Sequence, residues 1–318
     1  MNNLKINKSQ SIFDKLELNE QIDVSILDKL INSDLLQTTS WEQFENEKHQ
    51  LQLIRKNVKK NILKVTYSKT KYEYGRVFPN KSLSLGCLHR AIRHTLCYDK
   101  YTDIDIANCH PEILKQICEF NNIQIKYLKE YTDNRAEILK QTQEHYNCSR
   151  DDAKLLFIIL AYYGSFDNWV KDRNTQNIEP TEFIKNYIKE LKIIGLVITN
   201  ENPELLQVIK SLHKKNEKGS TVSIYLQDKE RQILEVVYQY LQNKGLINKD
   251  CILCFDGLMI LQSKYYSDLL DELSEFVYTN TGFKFQFVQK KLGEHLLNEL
   301  ANNAVSYTHL TLPTKRIV

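Results

Sequence analysis

Residues 101–114 read YTDIDIANCHPEIL, and this stretch decides the fold. Tyr101–Ile106 alternates as a short strand, which puts Asp103 and Asp105 on one face because strand side chains repeat every two residues. Pro111 then opens a helix, since proline is preorganised for a first helical turn and Glu112 suits the positive end of the helix dipole. A second apolar stretch, CILCFDGLMI at 251–260, reads as a hairpin with Asp256 at its tip. Asp-Gly is also the favoured two-residue hairpin turn, so Asp256-Gly257 has a purely structural reading. The chemical alternative needs the two strands to be neighbours, in which case Asp105 and Asp256 converge on one spot. Magnesium sites are built from one or two carboxylates completed by water and substrate phosphate.

Outward from these two stretches, Leu63–Tyr74 is strand-like and closes at Gly75-Arg76. Leu88–Leu96 forms a basic helix with His89, Arg90, Arg93 and His94. Residues 112–219 are almost all helical by pattern, with Arg150–Tyr163 the most apolar part. Thr221–Tyr225 is a short β-rich run, Gln227–Gln242 a helix, Tyr265–Tyr278 a helix and Phe283–Gln289 an alternating strand. Strands at both ends of the chain bracket a long helical block, which implies an α+β fold: a discontinuous antiparallel sheet with a helical insertion. Residues 1–64 carry helical periodicity, with Ile12, Phe13, Leu16 and Leu18, then Ile26, Leu27, Leu30 and Ile31, then Phe44 and Leu51–Ile54. This region ends in the basic run Arg55, Lys56, Lys59, Lys60, Lys64, either a solvated helix face or a phosphate-tracking surface.

The composition, 42% hydrophobic and 26% charged over 318 residues, is that of a globular chain with a sizeable core. Only 9 Gly and 5 Pro exclude collagen-like and linker-like classes, and the apolar runs are far too short for a membrane span. No signal peptide opens the chain, and 7 scattered Cys fit a reducing compartment, so an intracellular, cytoplasmic protein is expected. The last segment, Val305–Val318 (VSYTHLTLPTKRIV), back-translates at its start into the end of a transposase sequencing adapter and is treated as non-native. The expectation is that natural sequence beyond Ala304 is missing. Removing Lys315 and Arg316 from the 43 basic residues leaves 41 against 40 acidic ones, so net charge says nothing about nucleic acid and local patches must carry that case.

Such a patch exists. Arg150 and Lys154 stand four apart on one helix and project from the same face, while Leu155, Leu156, Ile158 and Ile159 are expected in the core, within an apolar segment ending in Tyr162-Tyr163-Gly164. A surface i,i+4 pair is common, but the apolar segment makes a surface helix the weaker reading. Cys251 and Cys254 have CxxC spacing yet lie on a strand, where i and i+3 point to opposite faces, and no second pair exists to complete a zinc site.

Taken in order, these segments resemble the motifs of family A nucleic-acid polymerases. Gly75-Arg76 followed by Ile92-Arg93 resembles the family's Gly-Arg element and its Ile-Arg-Arg. Asp105 with Asn108 and His110 resembles motif A. Arg150, Lys154, Tyr162/Tyr163 and Gly164 resemble the fingers helix of motif B. Gln227 with Ile233 and Leu234 resembles the helix before motif C, and Phe255-Asp256-Gly257 sits where the family has His-Asp-Glu. His110 stands in place of the family's usual Glu, Gly257 in place of its second motif C carboxylate, and Tyr-Tyr-Gly comes one residue late. The set is most similar to the divergent polymerase modules of virophages, transpovirons and related mobile elements, commonly joined to a helicase downstream.

The resemblance implies a right-hand polymerase-like palm with a small antiparallel sheet and a helical fingers insertion. The expected division is an N-terminal helical region at 1–64, palm at 65–115 with motif A, fingers at 116–219 with motif B, palm again at 220–304 with motif C, and the adapter-derived tail at 305–318. It further implies a template-dependent nucleotidyltransferase, a DNA polymerase with RNA synthesis and priming left open, working on primed template and nucleoside triphosphates. Asp105 and Asp256 would be catalytic and hold two Mg²⁺ ions. Arg150, Lys154, Tyr162, Tyr163 and His110 would meet the nucleotide, and Arg76, Arg93 and Gln227 the nucleic acid. Two alternatives stay open: a metal-dependent nuclease, and an inactive nucleic-acid-binding module.

Overall fold

The structure, a computed structural model, describes residues 4–6, 8, 10–38, 41–173, 175 and 178–301, so the adapter-like tail lies outside the described residues. Strand β1 (Glu17–Gln21) is followed by helices α1 (Val24–Asn32) and α2 (Trp41–Asn57), then by strands β2 (Ile62–Lys69) and β3 (Val77–Pro79). These strands form an antiparallel sheet in the order β1-β2-β3. After helix α3 (Arg90–Cys97) come strand β4 (Tyr101–Ile106) and helix α4 (Cys109–Phe120). A helical block follows: α5 (Tyr127–Asp133), α6 (Arg135–Tyr146), α7 (Arg150–Ala161), α8 (Phe166–Arg173), α9 (Glu182–Glu201), α10 (Pro203–Ser211) and α11 (Glu217–Asn243). Strands β5 (Cys251–Leu253) and β6 (Gly257–Leu261), helix α12 (Leu269–Thr281) and strand β7 (Phe287–Lys290) complete the order.

The second sheet runs β5-β6-β4-β7 and is antiparallel throughout. Its central strand β4 comes from before the helical block, and both its neighbours from after it. The expected discontinuous antiparallel sheet interrupted by helices is therefore the architecture observed. Side-chain caps start the helices that matter here. Ser149 accepts from the Asp152 amide at the head of α7, where Asp151 and Asp152 also suit the dipole, and Asn216 accepts from the Gly219 amide at the head of α11. The 27-residue α11 packs against α4, α9, α10 and α12.

Three local readings differ from the structure. Glu17–Gln21 is a strand rather than part of a helix: Leu18 and Glu20 both point inward, and the period of two is hidden because one inward position is a carboxylic acid. Thr221–Tyr225 is helical within α11, because Thr221, Val222 and Tyr225 are buried against neighbouring helices and packing overrides β propensity. Asp256-Gly257 is not the centre of the hairpin turn. Cys254 donates to the Gly257 carbonyl (2.9 Å), so the central pair is Phe255-Asp256, with Phe255 at φ 63°, while Gly257 lies in β6. In the basic run, Arg55 pairs with Asp28 (2.7 Å) and Lys64 with Glu17 (3.2 Å), whereas Lys56, Lys59 and Lys60 are exposed.

Backbone bonds from β1 reach the second sheet and its flank, and between them Glu20 ties β1 to the segment before α3. The amide of Asn19 donates to the Lys249 carbonyl (2.8 Å) and that of Gln21 to the Tyr101 hydroxyl (2.6 Å), so β1 lies against the second sheet. Between these contacts the Glu20 carboxyl is fully buried and accepts from the Ser84 hydroxyl (2.6 Å) and the Leu85 amide (2.7 Å). Burial pushes its pKa up to about 7, although those hydrogen bonds oppose the shift. An acid whose folded pKa lies above its unfolded value contributes stability that is complete below about 4.5 and lost as the pH rises to about 7. Relative to Glu20→Gln, the protein should lose roughly 3 kcal/mol of unfolding free energy across that window. Denaturant melts at several pH values would measure it, and a parallel pH dependence of the two proteins would disprove the assignment.

Candidate active site

Strand β4 is buried along its whole length, and two of its six side chains are carboxylates: Asp103 at 4% and Asp105 at 5% exposure. An ionised carboxylate at such depth needs a cation or a proton. Asp105 faces Gly257 across β4–β6, and the Ile106 amide donates to the Asp256 carbonyl (3.2 Å), so the strand and the hairpin turn meet here. The carboxyls of Asp105 and Asp256 are within hydrogen-bonding reach of each other. Lys290, on the other flank of β4, brings its Nζ to 2.6 Å from Asp105 Oδ2. Burial, and after it the charge of Asp256, push the Asp105 pKa up, while Lys290 pulls it back. Asp103 is likewise raised by burial. Among the described residues no three His, Cys, Asp or Glu form a ready cage for a metal ion. Two facing carboxylates with all-oxygen donors nevertheless suit a hydrated divalent cation that takes its remaining ligands from water and phosphate.

Gly257 allows this approach. A Cβ there would lie 2.2 Å from the Ile104 carbonyl oxygen and 2.9 Å from the Asp105 Cα, both backbone atoms of β4. Beside it the Phe255 ring is partly exposed, at 6.1 Å from the equally exposed Phe78 ring, and the Arg76 guanidinium lies 4.4 Å from its centroid.

A second cluster sits against the first. His110, in the first turn of α4, meets the Tyr162 hydroxyl through Nδ1 and stands 3.1 Å from Glu230 Oε1 through Nε2. Arg76 grips the same Glu230 with Nε and Nη2 at 2.5 and 2.9 Å. Glu230 is 1% exposed; burial alone would raise its pKa, but His110 and Arg76 outweigh that and hold it at about 2. The sequence pattern conceals Glu230, because it stands within the helical run DKER at 228–231, which reads as a solvated face.

The structure thus brings Asp105, Asp256, His110, Tyr162 and Arg76 together. Tyr163 turns away, its hydroxyl donating to the carbonyls of Lys192 (2.8 Å) and Leu191 (3.3 Å) on α9. Arg93 places Nη1 3.4 Å from the carbonyls of Gly86 and Leu88. Gln227 donates to the Ser223 hydroxyl (3.1 Å) and lies beside the Gly75 turn. Lys154 pairs with Asp151 (2.7 Å), and Arg150 is exposed at the rim of a depression of about 370 Å³ that it shares with Asn108, Arg135 and Lys284.

No protein-family model matches the chain. It is 32% identical over 226 residues to "Putative helicase V13" of Sputnik virophage, a match covering 70% of this chain and 29% of that protein's length. In structure it is similar to the POL domain of Pol1 from M. smegmatis, solved in complex with DNA primer-template and dNTP. That similarity has a TM-score of 0.50 at 12% identity and covers 90% of this chain and 61% of the other. The fold is therefore polymerase-like.

The close contact at Gly257 makes a direct prediction. Gly257→Ala must push β6 away from β4, and overpacking of this kind costs about 1–3 kcal/mol. Chemical denaturation should report a loss of that size, and an unchanged midpoint would mean that the strands have slack.

Proposed function

We propose that the chain is a template-dependent nucleotidyltransferase of the DNA-polymerase type, extending a primer 3′-hydroxyl with nucleoside triphosphates. The observation that carries it is the convergence of Asp105 and Asp256 at the junction of β4 and the β5–β6 turn, within a polymerase-like fold. In this reading the β4–β7 sheet is the palm, shared between residues 65–115 and 220–304, and the helical block at 116–219 the fingers. Residues 1–64 form an N-terminal region joined to the rest through the first sheet, since β1 pairs with β2 (Ile62–Lys69), which crosses that boundary and pairs in turn with β3.

Asp105 and Asp256 would hold two Mg²⁺ ions, which supply charge neutralisation for the attacking hydroxyl and the leaving pyrophosphate. The protein's own share is placement. Arg150 and Lys154 at the start of α7 contribute charge for the triphosphate, Arg as a fork and Lys as a point charge. Tyr162, held by His110, walls the space above the carboxylates, where the nucleotide sugar and base would lie. Tyr163 keeps the fingers helix against α9. Arg76 is neutralised by Glu230, so its part on the nucleic-acid side runs through the Phe255 ring it covers, while Arg93 and Gln227 line the same flank.

No helix among the described residues is long and apolar enough to cross a membrane. The expected intracellular setting belongs to the proposal, and all seven cysteines are free. The match to 29% of a protein named a helicase supports a nucleotidyltransferase unit that works joined to a helicase. One observation favours a second reading, an inactive nucleic-acid-binding module: the position of the second motif C carboxylate is Gly257, and no side chain fits there.

A primed-template assay with Mg²⁺ separates the readings, since an active enzyme extends the primer and an inactive module only shifts its mobility. Asp105→Ala and Asp256→Ala should each lose at least tenfold in incorporation, about 1.4 kcal/mol of barrier, with template binding kept. Retention of more than a tenth of the rate by either variant would remove that residue from the metal site.

Sugar choice is the second test. His110→Ala removes the partner that fixes the Tyr162 hydroxyl and should change the ratio of ribo- to deoxynucleotide incorporation by tenfold or more. The melting temperature should fall as well, because the buried Glu230 carboxylate loses one of its two side-chain partners, so the ratio in a competition assay is the deciding readout. An unchanged ratio with a lower melting temperature would leave His110 a structural residue.

A further inference from the structure

We propose that Lys290 is the resident counter-cation of the carboxylate site: its ammonium holds Asp105 while no divalent ion is bound and competes with divalent ions for that carboxylate, so that metal enters by displacing it. This role rests on the proposed metal site at Asp105 and Asp256 and adds a residue to it.

Geometry carries the assignment. β7 flanks β4 on the side opposite β6, with Lys290 paired directly with Asp103 and Val288 with Asp105. Paired residues share a face, so Lys290 rises on the same side of the sheet as both aspartates. It leans two residue pairs along the strand, to the next position on the same face, and reaches Asp105 Oδ2 at 2.6 Å rather than extending into water. The two partners differ in freedom. The Asp105 side chain is 7% exposed and fixed on a central strand, whereas that of Lys290 is 50% exposed at the end of an edge strand. A flexible four-carbon stem can swing its charge into solvent at small cost, and a buried carboxylate cannot. Asp105 is therefore the fixed ligand and Lys290 the exchangeable cation. One positive charge at hydrogen-bond distance from Asp105 also offsets part of the repulsion among Asp103, Asp105 and Asp256, all three of which act on Lys290.

The competition predicts a tighter metal site when the competitor is removed. Free Mn²⁺ counted by electron paramagnetic resonance, at fixed pH and with the full chain, gives the affinity without any turnover. Lys290→Met should bind Mn²⁺ about tenfold more tightly, given the removal of a unit charge at contact distance. Lys290→Arg, which keeps the charge, should stay within about threefold of the wild type, and Asp105→Asn should lose the site. Without metal, Lys290→Met should melt several degrees below the wild type and recover that difference when Mn²⁺ is added. Should Lys290→Met prove too unstable to assay, Lys290→Gln makes the same removal with a polar side chain and carries the same expectation. If Asp105→Asn loses Mn²⁺ while the neutral Lys290 variants bind it no more tightly than the wild type, Lys290 is not a competitor and the metal site stands without it. If Asp105→Asn binds Mn²⁺ as well as the wild type does, the metal site itself is misplaced and the role of Lys290 falls with it.

Discussion

Four consecutive charged residues in the middle of α11, Asp228, Lys229, Glu230 and Arg231, are all buried, at 1%, 6%, 1% and 3% exposure. Burying an unpaired charge is prohibitive, and removing one partner of a buried pair costs about 3–5 kcal/mol, so the segments that supply their partners have little freedom to be elsewhere. Those partners come from distant parts of the chain. Asp228 accepts from the Gly75 amide (3.2 Å) and pairs with Arg231 (3.0 Å). Arg231 in turn donates to the Gly75 carbonyl (3.1 Å) and pairs with Glu235 (2.5 Å). Glu230 takes Arg76 and His110, and Lys229 reaches the Lys5 carbonyl (3.4 Å). The turn before β3, the first turn of α4 and the beginning of the chain are thereby fixed against one helix.

The same helix sets the position of Tyr162 twice. At its N-terminus Asn216 donates through Nδ2 to the carbonyls of Tyr162 (2.9 Å) and Tyr163 (3.2 Å), and Gly219 leaves room for the first of these, since a Cβ there would lie 2.0 Å from the Tyr162 oxygen. Three turns further on, Glu230 orients His110, which meets the hydroxyl of that same Tyr162. Backbone and side-chain tip of one residue are thus held by a single rigid element, as positioning to within a fraction of an ångström requires. The placement of Tyr162 is a property of α11 as much as of α7.

Legibility in the sequence differs from element to element for physical reasons. β4 and the β5–β6 hairpin announce themselves because short apolar alternation broken by aspartate fits a strand and fits neither an amphipathic helix nor a polar loop, and their pairing follows from the fold class. α7 is legible as a helix but not in its orientation: of the side chains expected in the core, Leu156 is buried while Leu155 and Ile158 are exposed, because the inward face is Ala153, Leu156, Phe157 and Leu160. Glu230 is not, since charges in a helical run read as solvated until the partner segments are placed. Lys290 is hidden for the same reason: a lysine near the end of a strand looks like edge protection. β1 escapes because Glu20 stands where alternation calls for an apolar side chain. Arg76 is singled out by the sequence, but its partner, a buried glutamate on α11 more than 150 residues later, has no local signature.

Two of the three departures from the pattern of the family that the sequence resembles, at positions 110 and 257, look like losses in the sequence, yet each has a neighbour that bears on its reading. At position 110 a histidine stands where the family it resembles has glutamate, and the carboxylate beside it comes instead from Glu230 on α11. The histidine stands between that acid, 3.1 Å from its Nε2, and the Tyr162 hydroxyl at its Nδ1. At position 257 no carboxylate replaces the missing one, because β4 and β6 are too close for any Cβ. On the other side of β4, the Lys290 ammonium from β7 reaches Asp105. The closeness of β6 and the reach of Lys290 from β7 bear on opposite flanks of the same aspartate. A side chain larger than glycine at 257 would therefore disturb Asp105 through its backbone even if it supplied the carboxylate that the family pattern calls for.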